Sequence, residues 1–154
     1  NGWRCAPGEV APIAEGDAAA YQACVLGLRD YVDKNRFPGV VLGLSGGVDS
    51  ALVAALAVDA LGPDRVHGIM LPYRYTSHES IEDATACAAY LGIRFDTVPI
   101  EAAVSGVDTS LAKLFAGKAP DITEENIQSR IRGVIMMAIS NKFGAMVLTT
   151  GNKS

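Results

Sequence analysis

The chain has 154 residues, enough for one domain with a substantial core. Hydrophobic residues make up 49% and charged residues 19%, which excludes a disordered chain, and no apolar run approaches the roughly 20 residues of a membrane-spanning helix. Thirteen Lys and Arg oppose seventeen Asp and Glu, a formal charge of −4 that argues against nucleic acid as a partner.

The first residues, Asn1-Gly2-Trp3-Arg4-Cys5, lack the apolar core of a signal peptide, so a soluble cytoplasmic protein is expected. Cys5, Cys24 and Cys87 are odd in number and form no C-x-x-C pair, which fits a reduced compartment. Cys24 and Cys87 fall within apolar helical patterns and are expected in the core.

Residues 1–16 carry Pro7, Gly8, Pro12 and Gly16 without periodicity and read as a linker or the tail of an upstream segment. From Asp17 the residues Tyr21, Cys24, Val25, Leu28, Tyr31 and Val32 recur at helical spacing, until Asn35 to Gly39 ends the pattern. Val40 to Leu44 is a short apolar run, the mark of a strand covered on both faces. Ala51 to Leu61 predicts a packed helix stopped by Gly62-Pro63, and Val66 to Leu71 a second strand. Thr76 and Glu79 have capping-box spacing before a helix to Leu91.

Ile93 to Ile100 reads as a third strand and 101–118 as a helix interrupted at Ser105-Gly106. Thr123 is expected to cap a long helix with Ile127, Ile131, Val134, Ile135 and Ala138 on one face and Met136 and Met137 in its packing. Ala145 to Thr149 is a fourth strand, after which Gly151-Asn152-Lys153-Ser154 closes the chain. Strands alternating with helices predict an α/β fold, an open, doubly wound parallel sheet of Rossmann-like type. Its polar loops gather at the carboxyl edge, where such sheets bind ligands. A polar loop after a strand normally feeds another helix, so the C-terminus reads as cut short.

The segment richest in chemistry is Gly43-Leu44-Ser45-Gly46-Gly47-Val48-Asp49-Ser50. Adjacent glycines allow a tight turn and close approach to a ligand, and the free N–H groups of the next helix point into that turn. Ser45 and Ser50 add hydroxyl donors, so the site suits a phosphate or pyrophosphate. It lacks the lysine of a Walker A loop and the spacing of a dinucleotide fingerprint. Asp49 is informative because a carboxylate repels a phosphate unless a divalent cation lies between them.

This segment resembles the pyrophosphate loop of the ATP pyrophosphatases, a superfamily with adenine nucleotide alpha hydrolase-like folds. Three more stretches narrow the likeness: Leu71 to Ser77, Glu124 to Arg132, and Ser140 to Ser154. In this order they are similar to the synthetase domain of NAD synthetases, particularly the bacterial glutamine-dependent ones. The likeness runs from about Tyr21 to Ser154 and defines a domain over 17–154.

The resemblance implies ATP-dependent amidation of deamido-NAD with magnesium, and ammonia or glutamine as nitrogen source. It implies ATP binding by residues 43–50, Arg74 and Thr150, magnesium binding by Asp49, and deamido-NAD binding by Arg130. No side-chain nucleophile is implied. The family's magnesium-binding glutamate follows T-G-N-K-S directly and an ATP-binding lysine comes later, so residues up to Ser154 alone are expected to be inactive. A glutaminase domain belongs to no part of 1–154, Cys5 is no nucleophile, and a homodimer through the long helix is expected.

Other readings are a GMP synthetase-like or tRNA-thiolating enzyme, and a nucleotide-binding module without turnover. The acidic balance and missing cysteine pairs oppose thiolation, and Asp49 opposes a passive module. His67, inside a strand, and His78 have no partner at a telling spacing and read as structural or solvated.

Overall fold

A computed structural model describes residues 15–150 together with Arg4 and Gly8. Most of the expected linker, Cys5 and the closing residues 151–154 lie outside the described residues.

The apolar run at Val40 becomes the middle of a sheet. Strand β1 (Val40–Gly43) pairs on one edge with β2 (Val66–Met70), which pairs with β3 (Arg94–Thr97), and on its other edge with β4 (Met146–Leu148). All pairings are parallel, in the order β3-β2-β1-β4, with Val40 opposite both Val66 and Met146. Val40, Val41 and Leu42 are almost fully buried, as a strand covered on both faces requires.

Helices α1 (Gly16–Lys34), α2 (Val48–Leu61) and α3 (His78–Leu91) cover one face. Helix α5 (Ile122–Phe143), with α4 (Glu101–Leu111) against it, covers the other. Right-handed crossovers explain the division, because the chain reverses direction along the sheet between β3 and β4. The larger core joins Leu42, Leu44, Val66 and Met70 to Val32, Ala54, Ala57, Ala84 and Ala88. Alanines at these helix positions let α2 and α3 approach the sheet closely. The second core is smaller: Val41 and Ile69 meet Met136, flanked by Ile139 and Val147.

The doubly wound parallel sheet is as expected, and several local readings change. Helix α2 begins at Val48, three residues before the predicted Ala51, so Asp49 and Ser50 lie in its first turn. Ser77, not Thr76, caps α3, its Oγ accepting the Ser80 N–H at 3.1 Å. Thr76 Oγ1 instead accepts the Tyr73 N–H at 2.9 Å within the preceding turn. Asp121, not Thr123, caps α5; Asp121 accepts from Thr123 N–H while Glu124 accepts from Asp121 N–H, both at 2.8 Å. A carboxylate carries the charge the helix N-terminus favours, which a hydroxyl does not.

On α5 the inward rows are Ile127, Ile131, Ile135, Ile139 and Gln128, Arg132, Met136, Ser140. Val134 (63% exposed), Ala138 and Met137 therefore lie outside the packed face assigned to them. Cys24 is exposed rather than in the core, whereas Cys87 packs against the core cluster.

His67 does have a partner, supplied by strand register rather than by sequence spacing. It lies opposite Arg94, and its Nε2 is 2.7 Å from Asp96 Oδ2 two residues further along β3. Arg94 Nε donates to the same oxygen at 2.9 Å. Burial pushes His67 below its ordinary 6.5, against the pull of Asp96, while the hydrogen bond from His67 holds Asp96 below its ordinary 3.8. A neutral imidazole donating to an ionised carboxylate satisfies both directions.

Each group thus binds fewer protons folded than unfolded, so its contribution is complete above the ordinary value and is lost on acidification. The melting temperature is expected to fall as pH drops below 6.5, first through His67 and then, below 3.8, through Asp96. His67→Gln should flatten the first part of that fall. Identical pH profiles for the two proteins between 7 and 5 would exclude His67 as its source.

Candidate active site

Beyond β1 the chain turns through Leu44, Ser45, Gly46 and Gly47 and enters α2 at Val48. Leu44 anchors the turn, being buried and donating its N–H to the Ile69 carbonyl at 2.9 Å. Gly46 has φ +83°, and a Cβ there would lie 2.4 Å from the Ser80 carbonyl oxygen of α3. Glycine is thus required twice, for the backbone angle and for the packing of α3 on the loop.

Ser50 is the one buried polar side chain among the described residues. Its Oγ donates to the Gly47 carbonyl at 2.9 Å, accepts the Ser45 N–H at 3.2 Å, and lies 3.1 Å from Ser45 Oγ. Ser45 Oγ in turn accepts the Gly47 N–H at 3.3 Å. Ser50 spends its single proton on the Gly47 carbonyl, so in the Oγ–Oγ contact Ser45 is the donor, and the two hydroxyls together brace the turn. The backbone N–H groups of Val48, Asp49 and Ser50 begin the helix and have no intrahelical acceptor. Asp49 is exposed beside them and makes no hydrogen bond to another described residue.

A cleft of about 270 Å³ opens over this turn, lined by Gly43, Leu44, Ser45 and Ser50, with Leu71 and Thr76 from beyond β2 and Thr150 from beyond β4. Its neighbour, of about 570 Å³, lies along α5 and includes Ser129, Gly133, Met136 and Thr149. Gly43, Leu71, Arg132 and Thr150 border both. The clefts sit where the strand order reverses, between the carboxyl ends of β1 and β4, the ligand crevice of open α/β sheets.

Of the predicted residues, Gly43, Leu44, Ser45, Ser50 and Thr150 line the cleft, Gly46 to Asp49 belong to the same turn without lining it, and two others lie apart. Arg74 is exposed, its Nε donating to Glu101 at 2.8 Å and its guanidinium lying over the Tyr73 ring. Arg130 is exposed on α5 and borders neither cleft. Arg132 and Thr76 also line the first cleft, and neither is among the site residues that the sequence singles out. The signal for both was position: each follows from knowing which helix row and which loop meet the carboxyl edge.

No cluster of three His, Cys, Asp or Glu suited to a metal occurs among the described residues. Asp49 is a single free carboxylate beside a phosphate-sized turn, which fits magnesium held by one protein ligand, with phosphate oxygens and water completing its shell. No helix among the described residues is long and apolar enough to cross a membrane.

A parallel α/β sheet with a braced, N–H-lined turn at its reversal point is a nucleotide-binding architecture. The model of the NAD synthase family matches residues 20–154, and the chain belongs to this family. A glutamine-dependent NAD(+) synthetase of Rhodobacter capsulatus is 59% identical over 152 residues, covering 99% of this chain and 28% of the relative. The structure of glutamine-dependent NAD+ synthetase from Acinetobacter baumannii in complex with ADP superposes with TM-score 0.90 at 50% identity, over 94% of this chain and 28% of that one. An NMN synthetase from Francisella tularensis superposes at 0.80 with 27% identity, over 90% of this chain and 56% of its own. The chain thus spans little more than a quarter of the length of the curated relative it matches at 59%.

Proposed function

We propose that the chain is the ATP-using part of an enzyme that amidates deamido-NAD to NAD+. The observation that carries this reading is the family match together with the turn over 43–50 at the head of the cleft. In this reading the N–H groups of Val48 to Ser50 and the Ser45 hydroxyl hold the terminal phosphates of ATP. Asp49 holds magnesium, which offsets the phosphate charge when bound. Thr150 contacts ATP from the β4 side, and residues 1–16 form a linker before the domain at 17–154.

A carboxylate resists ammonia until one of its oxygens becomes part of a good leaving group. The nicotinate oxygen bonds to the α-phosphorus of ATP, the bond from that phosphorus to the bridging oxygen breaks, and pyrophosphate departs with the electron pair. Ammonia then adds to the acyl carbon and AMP leaves. Oriented N–H groups stabilise the departing pyrophosphate, and no side-chain nucleophile is called for. Ammonia comes from glutamine through a glutaminase elsewhere in a longer protein, as the names of the relatives support, and the assembly is a cytoplasmic homodimer.

The test is pyrophosphate release from ATP by the intact protein, with ammonia and either deamido-NAD or nicotinate mononucleotide. Release that depends on deamido-NAD supports the reading. Release driven better by the mononucleotide moves the chain toward the NMN-synthetase branch of the fold, and release with neither refutes amidation.

Arg130 is assigned to deamido-NAD in this reading, and Arg130→Ala should weaken that ligand roughly ten- to a hundredfold, the worth of one charge-assisted hydrogen bond. ATP affinity should stay near wild type. Calorimetric titration with each ligand decides, and equal weakening of both removes Arg130 from the dinucleotide site.

A further inference from the structure

Arginines among the described residues fall into two groups. Those on the surface are exposed, and two of them pair with carboxylates, Arg74 with Glu101 and Arg94 with Asp96. Only Arg65 and Arg132 are half-buried. Arg65 has its anion, Asp33 at 2.9 Å, and donates to the carbonyls of Pro38 and Phe37 at 3.0 and 3.1 Å. Arg132 is different: its Nε donates to the Leu71 carbonyl at 3.3 Å, and no described carboxylate lies within ion-pair distance.

A guanidinium withdrawn from water without an anion is costly, and such a group is retained where an anion arrives. Its position narrows which anion. Arg132 borders both clefts, the one over the phosphate turn and the one along α5. The Leu71 contact fixes the plane of the fork while leaving its terminal nitrogens without a described partner.

We infer that Arg132 is a catalytic cation at the junction of the two clefts, contacting the α-phosphate of ATP and the carboxylate that attacks it. This rests on the amidation reading above. Two anions must meet for the new oxygen–phosphorus bond to form, and their repulsion is greatest at that meeting. A planar, doubly donating cation placed between them lowers it and follows the charge as the bond to pyrophosphate breaks. The contact is made most strongly as the bond forms, so its loss appears in kcat more than in KM.

The experiment uses the intact protein with Arg132→Gln and Arg132→Lys. Three quantities are read: pyrophosphate released from ATP in the presence of deamido-NAD, the Kd for ADP, and the melting temperature. Arg132→Gln should lower kcat for pyrophosphate release about a hundredfold, with KM for either substrate moving less than about fivefold. Arg132→Lys should recover about tenfold of that loss, since charge returns without the fork. ADP affinity should fall less than about fivefold, because the α-phosphate contact strengthens only as the new bond forms, and the melting temperature should remain near wild type in both.

Unchanged pyrophosphate release overturns the inference. So does a loss of rate matched by an equal loss of ADP affinity and a lower melting temperature, which would make Arg132 a brace for the Leu71 loop. Failure of the wild-type protein to release pyrophosphate with deamido-NAD defeats the amidation reading itself and is seen before any variant is made.

Discussion

Asp49→Asn is expected to lower turnover about a hundredfold or more, roughly 3 kcal/mol of transition-state stabilisation, without changing the fold. Its side chain is exposed at the first turn of α2 and makes no described hydrogen bond, so the packing loses nothing. The amide keeps the shape and removes the charge proposed to hold magnesium against the phosphates. Turnover measured across a magnesium titration separates the outcomes. A rate matching wild type at every magnesium concentration would end the role of Asp49, whereas a shift to higher magnesium demand with a depressed plateau supports it. The helix also provides a control. A carboxylate in the first turn favours the N-terminal end of the helix dipole, so its removal costs at most about 1 kcal/mol of stability.

Gly46→Ala should be the most damaging single methyl group in the described turn. Its φ of +83° is unfavourable for alanine, and the new Cβ would lie 2.4 Å from the backbone oxygen of Ser80. The backbone conformation alone costs on the order of 1–3 kcal/mol, and α3 must retreat as well. The expected result is a clear fall in melting temperature together with loss of ADP binding, because the Ser45–Ser50 brace moves with the turn. Gly47→Ala is the matched comparison: its φ is −86°, and the nearest atom to a new Cβ is Ser45 Oγ at 3.4 Å. That variant should fold nearly as well as wild type. Equal stability of the two variants would show that α3 does not constrain the loop.

Much of this architecture was legible in the sequence for identifiable reasons. Val40 to Leu42 read as a doubly covered strand because nothing polar interrupts it, and the structure buries all three. The turn after β1 was legible as a turn because paired glycines between an apolar strand and an apolar helix leave the backbone little else to do. What escaped reading was whatever depends on a second element. His67 and Asp96 meet only through the register of β2 and β3, which sequence spacing does not encode. The apolarity of Val134 points to the buried face, but α5 turns the row of Ile127, Ile131 and Ile135 inward instead. Arg132 lies on the second inward row, and sequence spacing alone does not mark that row as a wall of the cleft. The caps shifted because Ser77 and Asp121 compete with the neighbouring threonines, and the turn preceding each helix decides the winner.

The central position of β1 has a consequence for the order in which the protein is made. Val40 can find Val66 soon after both are synthesised, across a single helix, but its other neighbour, Met146, arrives only when nearly all the described chain is present. Closing that longer loop carries the larger entropic cost and tends to come late in folding. The crevice between β1 and β4 therefore does not exist in any shorter intermediate, even though the glycine turn that forms one wall is complete much earlier. A nucleotide seated there touches both sides of the last seam to close and, binding only the closed form, stabilises it by mass action. Ligand present during refolding should slow reopening at β4 before it alters anything near β3, a difference that hydrogen exchange can read strand by strand.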